Sequence, residues 1–268
     1  MYVKNCIYCG STDLNAEHVF GDWLKNFLPR KNKKRAVAFF RGGKKDNKPQ
    51  PTSMNVINPR NSPLVSWKIR CVCKTCNSGW MGDVQENAKL VVGPMTNGKS
   101  ILLDHASKAA IAAWATSVAV TVEYDRHHAP AITPEQRSAF REKKLAPDTF
   151  KIWIGKYDCP DDRSVFAKST HSIYTEAEIL ADPNKDPTIQ NTQTCAFGVG
   201  KLYVLVFSSP HHEMLDMVRI KPKAAAVLDQ IWPPSPGTLW WPKRAMTDSD
   251  AYSIATALRR EILKITQN

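Results

Sequence analysis

The chain reads as an α+β protein, with a small metal-stapled N-terminal module over residues 1–95 and a C-terminal mixed α/β domain over 104–268. Three observations predict this. Five of the seven cysteines stand in the first 76 residues, as Cys6, Cys9, Cys71, Cys73 and Cys76. Residues 1–95 carry 16 Lys plus Arg against 6 Asp plus Glu, while 96–268 carry 21 against 19. Past residue 104, helix-spaced and strand-spaced apolar patterns succeed one another without a repeat.

Residues 2–9 read as a strand ending in the turn Cys9-Gly10-Ser11-Thr12, and Asn15 to Val19 as a second short strand. Trp23 to Leu28 reads as a short helix or turn. Residues 29–63, rich in Lys, Asn, Pro and Gly, form an extended basic insertion, in which Ala36–Phe40 and Met54–Ile57 match a small hairpin. Leu64 to Val72 alternates and enters Cys73 as a strand. From Asn77 to Val91 the apolar residues Trp80, Met81, Val84, Ala88 and Val91 fall near helical spacing, and Gly93-Pro94 is expected to end that helix. Gly93-Pro94 also opens the expected domain boundary at 94–104.

Beyond the boundary, Ala106 to Val122 is Ala-rich and predicts a largely buried helix, with His105 at its start. Pro134 to Lys144 predicts a helix capped by Thr133, with Pro at its first position. Phe150–Lys156, Val165–Lys168 and Cys195–Ser208 read as strands, the last holding the strongest β run, LYVLVF. Ile231–Pro242 reads as a Pro- and Trp-rich loop, and Asp248–Ile265 as a closing amphipathic helix. No stretch reaches the roughly 18 uninterrupted apolar residues of a membrane helix, and the N-terminus shows no signal-type apolar region. A cytoplasmic protein without a membrane partner is expected.

The cysteines carry the most specific chemistry. Cys6-x-x-Cys9 and Cys73-x-x-Cys76 have the spacing that places two thiolates on one ion, and four such sulfurs make the closed tetrahedral shell of structural Zn²⁺. Cys71 lies two residues before Cys73; it is read as a small buried hydrophobe. An odd cysteine count in tight clusters argues against a disulfide framework. The excess positive charge, confined to the N-terminal third, points to a polyanion or to a solvated basic loop.

Between the two pairs stands Glu17-His18, and directly after the second stands Asn77. In combination, CIYCG, then EHV, then CKTCNSGW resembles the HNH endonuclease family in its four-cysteine form, over residues 4–90. The resemblance implies the ββα-metal fold, two strands and a helix wrapped on a metal. It further implies a catalytic Mg²⁺ or Mn²⁺ beside the structural Zn²⁺, and cleavage of nucleic acid, expected to be double-stranded DNA. Phage-encoded and defence-associated proteins often carry such modules. Position by position, His18 matches the general base, Glu17 the acidic residue that binds the catalytic ion, and Asn77 the residue that holds the strand-to-helix loop. Glu86 stands where the family's last His is usual, which makes it the expected second carboxylate ligand, with Asp83 one turn earlier as the fallback. The basic runs Arg30, Lys31, Lys33, Lys34 and Arg35, then Arg41, Lys44, Lys45 and Lys48, fit phosphate contacts without sequence readout.

Weaker signals are read structurally. His127-His128 and His211-His212 are taken as surface residues, Trp240-Trp241 as loop packing, and Cys159 and Cys195 as structural. The alternative function is a zinc-binding nucleic-acid or partner-binding protein that does not cut.

Overall fold

The computed structural model describes residues 3–28, 64–125, 130–158, 164–182 and 189–247, residues 184 and 186, the backbone of short strands inside 35–57, and residues 249–251, 253, 254 and 257. The strands in chain order are β1 (Leu14–His18), β2 (Arg35–Phe40), β3 (Lys44–Lys45), β4 (Lys48–Pro49), β5 (Met54–Ile57), β6 (Lys68–Cys73), β7 (Ile101–Leu103), β8 (Phe150–Tyr157), β9 (Ser164–His171), β10 (Thr192–Val199), β11 (Leu202–Ser208), β12 (Leu228–Trp232), β13 (Leu239–Trp241) and β14 (Ala245–Met246). The helices are α1 (Lys74–Cys76), α2 (Gly82–Thr96), α3 (His105–Val122), α4 (Pro134–Lys143), α5 (Glu176–Ala181), α6 (His212–Met217) and α7 (Pro222–Ala225). Helices and largely antiparallel sheets are both present, as expected of an α+β chain. Among the described residues, no helix is long and apolar enough to cross a membrane.

The N-terminal residues differ from expectation at Cys6. Instead of a strand, residues 6–10 make a turn in which Gly10 N–H donates to the Cys6 carbonyl at 2.9 Å and Cys6 N–H to the Ser11 carbonyl at 2.7 Å. A CxxC pair needs such a turn, because an extended backbone would carry successive side chains to opposite faces. Ile7 N–H donates to the Cys71 carbonyl at 3.0 Å and helps tie the turn to β6. The second expected strand is β1, antiparallel to β6, with Glu17 opposite Ile69 and a register shift between Asn15 and Ala16.

The expected hairpin in the insertion is β2 paired antiparallel with β5. It does not stand alone: β2 also runs parallel to β9, so the insertion extends the large sheet β12-β8-β11-β10-β9-β2-β5, beside which β14 pairs with β8. Both faces of that sheet are covered, which explains why its central strands are apolar almost continuously. On β11, Leu202, Val204 and Val206 join the main core, and Tyr203, Leu205 and Phe207 a second core with Met214 and Leu215 of α6. The run Cys195–Ser208 is two antiparallel strands, β10 and β11, with a turn at 200–201.

α3 is the axle of the main core. Almost every residue from Lys108 to Val122 is buried, as a helix apolar on all sides must be. Asp104 caps it through the Ser107 N–H at 2.8 Å. Trp114 Nε1 donates to the Phe20 carbonyl at 3.2 Å, and Gln193 Nε2 to the Ala119 carbonyl at 3.2 Å, so α3 is bonded to the N-terminal segment and to the sheet. One continuous apolar cluster runs from Cys6 through Trp114 and Phe197 to Trp241, across the boundary expected at 94–104.

α2 runs on to Thr96, past Gly93-Pro94. The hydrogen bond Pro94 cannot donate would go to the carbonyl of Leu90, a residue 78% exposed and open to water. Gly93 sits mid-helix because the Phe27 ring lies against it, 2.5 Å from where a Cβ would stand. Thr133 caps α4 as expected, and Gln136 completes a capping box that was not expected.

Candidate metal centre and acid–histidine site

Two turns build the metal centre. The first is the Cys6–Gly10 turn. In the second, Cys73 is the last residue of β6 and the cap of α1, where its Sγ accepts the Cys76 N–H at 3.4 Å. The four sulfurs of Cys6, Cys9, Cys73 and Cys76 lie within 4.8 Å of one another, and Cys9 Sγ is 3.5 Å from Cys73 Sγ. A tetrahedral shell with Zn–S near 2.3 Å has sulfur–sulfur edges of about 3.8 Å, so the cluster fits a structural zinc. Cys6, Cys73 and Cys76 are buried and Cys9 is exposed. Burial raises the Cys6 thiol, but backbone hydrogen bonds from Cys73, Tyr8 and Cys9 outweigh it and bring it down to about 7. Burial pushes Cys76 up to about 12. Cys71 stays outside the cluster, fully buried, as a small core residue.

α4 clamps the first turn. Arg137 Nε donates to the Ile7 carbonyl at 3.2 Å and Arg141 Nη1 to the Tyr8 carbonyl at 3.0 Å. Tyr8, Trp80 and Phe140 stack edge to face, with Tyr8–Trp80 centroids 4.9 Å apart. Ile7 and Tyr8, the residues inside the first CxxC, are thereby fixed to α4, and Tyr8 also packs on the turn that follows the second CxxC.

Glu17 and His18 come from the end of β1, and as neighbours on a strand they address opposite faces. Glu17 is 5% exposed. Gln85 Nε2, from α2, donates to Glu17 Oε1 at 2.9 Å. Burial pushes the Glu17 carboxyl up to about 7, while hydrogen bonds from the Gln85 and Asn77 side chains favour its ionised form. Asn77 therefore meets Glu17. His18 Nε2 lies 3.2 Å from Asp22 Oδ1, and Asp22 is also held by Lys25. Burial and the nearby Lys68 hold the His18 pKa below the usual imidazole value, against the opposing pull of Asp22.

The turn from His18 to Asp22 depends on Gly21, whose φ is +86°. A Cβ there would stand 2.5 Å from Trp23 Nε1 and 2.7 Å from Gln85 Oε1. Gly21 thus lets Asp22 return to His18 while Gln85 passes close enough to reach Glu17.

The other expected carboxylates are placed elsewhere. Glu86 is exposed and pairs with Lys89 at 3.2 Å, and Asp83 is exposed and pairs with Lys144 at 2.8 Å. It is Gln85, not Glu86, that the helix turns toward Glu17. The reason is local: Asn77–Met81 is a π-helical turn with non-helical angles at Gly79, so a regular count from Asn77 loses phase before residue 85. Asp22 and Gln85 were not among the expected site residues. Asp22 was legible as an acid four residues past His18, and Gln85 had no signal in the sequence.

Of the expected phosphate contacts, Arg30, Lys31, Lys33, Lys34 and Arg41 lie outside the described residues. Arg35, Lys44, Lys45 and Lys48 lie on β2, β3 and β4, for which the backbone alone is described. Of the expected loop-packing pair, Trp241 is fully buried and Trp240 is 61% exposed. Compared with family models, with curated proteins and with solved structures, the chain matches none.

Proposed function

We propose that the chain is a divalent-metal-dependent endonuclease of the HNH type that hydrolyses DNA phosphodiester bonds. The observation that carries this reading is the convergence of Asn77 and Gln85 on Glu17, with Asn77 directly following the four-cysteine cluster and His18 next to Glu17 on β1. In this reading the zinc fixes the two turns that hold the site together.

A phosphodiester repels hydroxide and has a poor leaving group, so cutting needs a proton acceptor and a local positive charge. His18 supplies the acceptor. Its lowered pKa keeps it neutral at pH 7, and with Nε2–H donated to Asp22, Nδ1 is the basic nitrogen that takes a proton from water. The Glu17 carboxylate is a hard donor of the class that holds Mg²⁺ or Mn²⁺, and the Gln85 and Asn77 amides that donate to it would set its orientation. An ion held there would neutralise charge developing on the phosphate and on the departing oxygen. Glu86 and Asp83, both exposed and paired with lysines, take no part. The lysines and arginines of the insertion would hold the DNA backbone.

A second reading, a zinc-binding nucleic-acid adaptor, is favoured by two features: Glu17 and His18 address opposite faces of β1, and the Glu17 carboxylate is already engaged by two amides. The discriminating experiment is plasmid nicking with added Mg²⁺ or Mn²⁺, wild type beside His18→Ala. Wild type cuts and His18→Ala loses about 10²–10⁴-fold while keeping zinc and DNA binding. A wild type that binds DNA and cuts with neither ion refutes the enzyme and leaves the adaptor.

A further inference from the structure

The far face of the large sheet carries a second candidate site, remote in sequence from the cysteines. A cavity of about 380 Å³ opens between α7 with the extended segment leading into it and, on the other side, Ser249, Asp250, Ser253, Ile254 and Ala257. Its floor is aliphatic, formed by Leu205, Ile220, Val227 and Ile254, which belong to or pack against the second core. Its lining also includes three cations, Arg219, Lys221 and Lys223, all exposed.

The backbone builds this segregation. The chain is extended at Val218 and again at Lys221, so successive side chains face opposite ways. Val218 is buried and Ile220 packs against the second core, while Arg219 and Lys221 stay in water. Lys223 joins them from α7. The lining holds one carboxylate, Asp250, and it is committed elsewhere: it accepts the Thr247 N–H and the Thr247 hydroxyl, each at 2.9 Å. Hydrogen bonding to Thr247 holds its carboxyl below the usual range. The cavity therefore has an oily floor and a rim of net positive charge.

We propose that this cavity binds a small amphiphilic anion, an aliphatic chain with a carboxylate head. Its volume lies in the range of small-molecule sites, about 300–1,000 Å³. The aliphatic floor accepts a methylene chain, and Arg219 and Lys223 meet the head. The guanidinium of Arg219 suits a carboxylate best, because its planar fork pairs with both oxygens. This site is independent of the nuclease reading, and its test needs no cleavage assay.

The test is isothermal titration of the full chain with decanoate below its micellar concentration, beside octanoate and decanol. Decanoate saturates one site. Octanoate, two methylenes shorter, binds about 15-fold more weakly, at about fourfold per methylene. Decanol, with the same chain and no charge, binds more weakly than decanoate. The double variant Arg219→Gln/Lys223→Gln changes exposed residues alone, so it keeps the fold; it weakens decanoate and leaves decanol unchanged. Absence of saturable decanoate binding, equal affinity for decanoate and decanol, or a double variant that binds decanoate like wild type overturns the proposal. So does binding to anionic phospholipid vesicles in the absence of any binding of free decanoate, which would assign the surface to a membrane.

Discussion

Replacing Gly21 by alanine adds one methyl group, and the structure says what that methyl meets. At φ +86° and ψ 130°, an L side chain is strained wherever the space allows it. Such backbone positions cost about 1–3 kcal/mol. The new Cβ would also stand 2.5 Å and 2.9 Å from two atoms of the buried Trp23 ring and 2.7 Å from Gln85 Oε1. Overpacking of this kind costs a further 1–3 kcal/mol or so. A loss near the middle of the combined range, about 4 kcal/mol, lowers Tm by roughly 8–16 °C in a chain of this size. Gly10 is the internal control: its φ is +78°, but a Cβ there meets nothing within 4 Å. Gly10→Ala carries the backbone term and not the steric one. Thermal denaturation of both variants, followed by near-UV circular dichroism, separates the two. The steric term should also push Gln85 off Glu17, so Gly21→Ala needs more Mg²⁺ for cleavage and Gly10→Ala does not. If the two alanine variants melt together, the close approach of Gly21 to Trp23 and Gln85 is refuted.

Three other outcomes are expected. Freshly purified protein carries one zinc per chain by metal analysis, and Cys73→Ser loses it while its hydroxyl can still cap α1; Cys71→Ser keeps the zinc, and an equal loss in both would dissolve the four-cysteine assignment. The Glu17 carboxyl is raised from its ordinary value of 4.5 to about 7, so the folded chain binds more protons than the unfolded one between those pH values and stability falls as pH rises through that window. Glu17→Gln, measured without added divalent ion, therefore gains up to about 3 kcal/mol at pH 8 and nothing near pH 4; a pH-independent difference contradicts the burial argument. DNA affinity falls with salt with a log–log slope of about −4 to −5, and neutralising Lys31, Lys33, Lys34 and Arg35 together flattens it; an unchanged slope excludes the insertion as the DNA-binding element.

Legibility in the sequence followed the kind of signal. The four clustered cysteines were readable because CxxC spacing is local, and the chain closes each turn within a few residues. Helix α4 was readable to within a residue from Thr133 and Pro134, since an N-cap is also local. The end of α2 was not. Gly93-Pro94 is a stop signal by propensity, yet the helix continues because Phe27 packs on the glycine and the lost bond falls on the exposed Leu90. Nor was the sharing of one core by the two expected domains readable. That depends on pairs such as Phe20 with Phe197, 5.3 Å between ring centroids, far apart in sequence.

The acid–histidine site shows the same division within one constellation. Glu17, His18 and Asn77 sit on elements whose register is pinned, Glu17 and His18 by the β1–β6 ladder and Asn77 by its place after Cys76. The third partner sits on a helix whose phase depends on a single turn. Gly79, at φ −90° and ψ −116°, breaks the regular backbone between Asn77 and α2. A shift of one residue on a helix rotates the side chain by about 100°, enough to exchange Glu86 for Gln85. The exchange matters chemically. A glutamate would add a second negative charge beside Glu17, whereas Gln85 adds a neutral amide that donates to it. The site then has one carboxylate, and any divalent ion it holds is held more weakly than by two. Gln85→Glu should accordingly lower the Mg²⁺ concentration needed for half-maximal cleavage, and Glu86→Gln should leave it where it is. If Glu86→Gln raises the requirement and Gln85→Glu does not lower it, α2 presents Glu86 to the site and the phase read here is wrong.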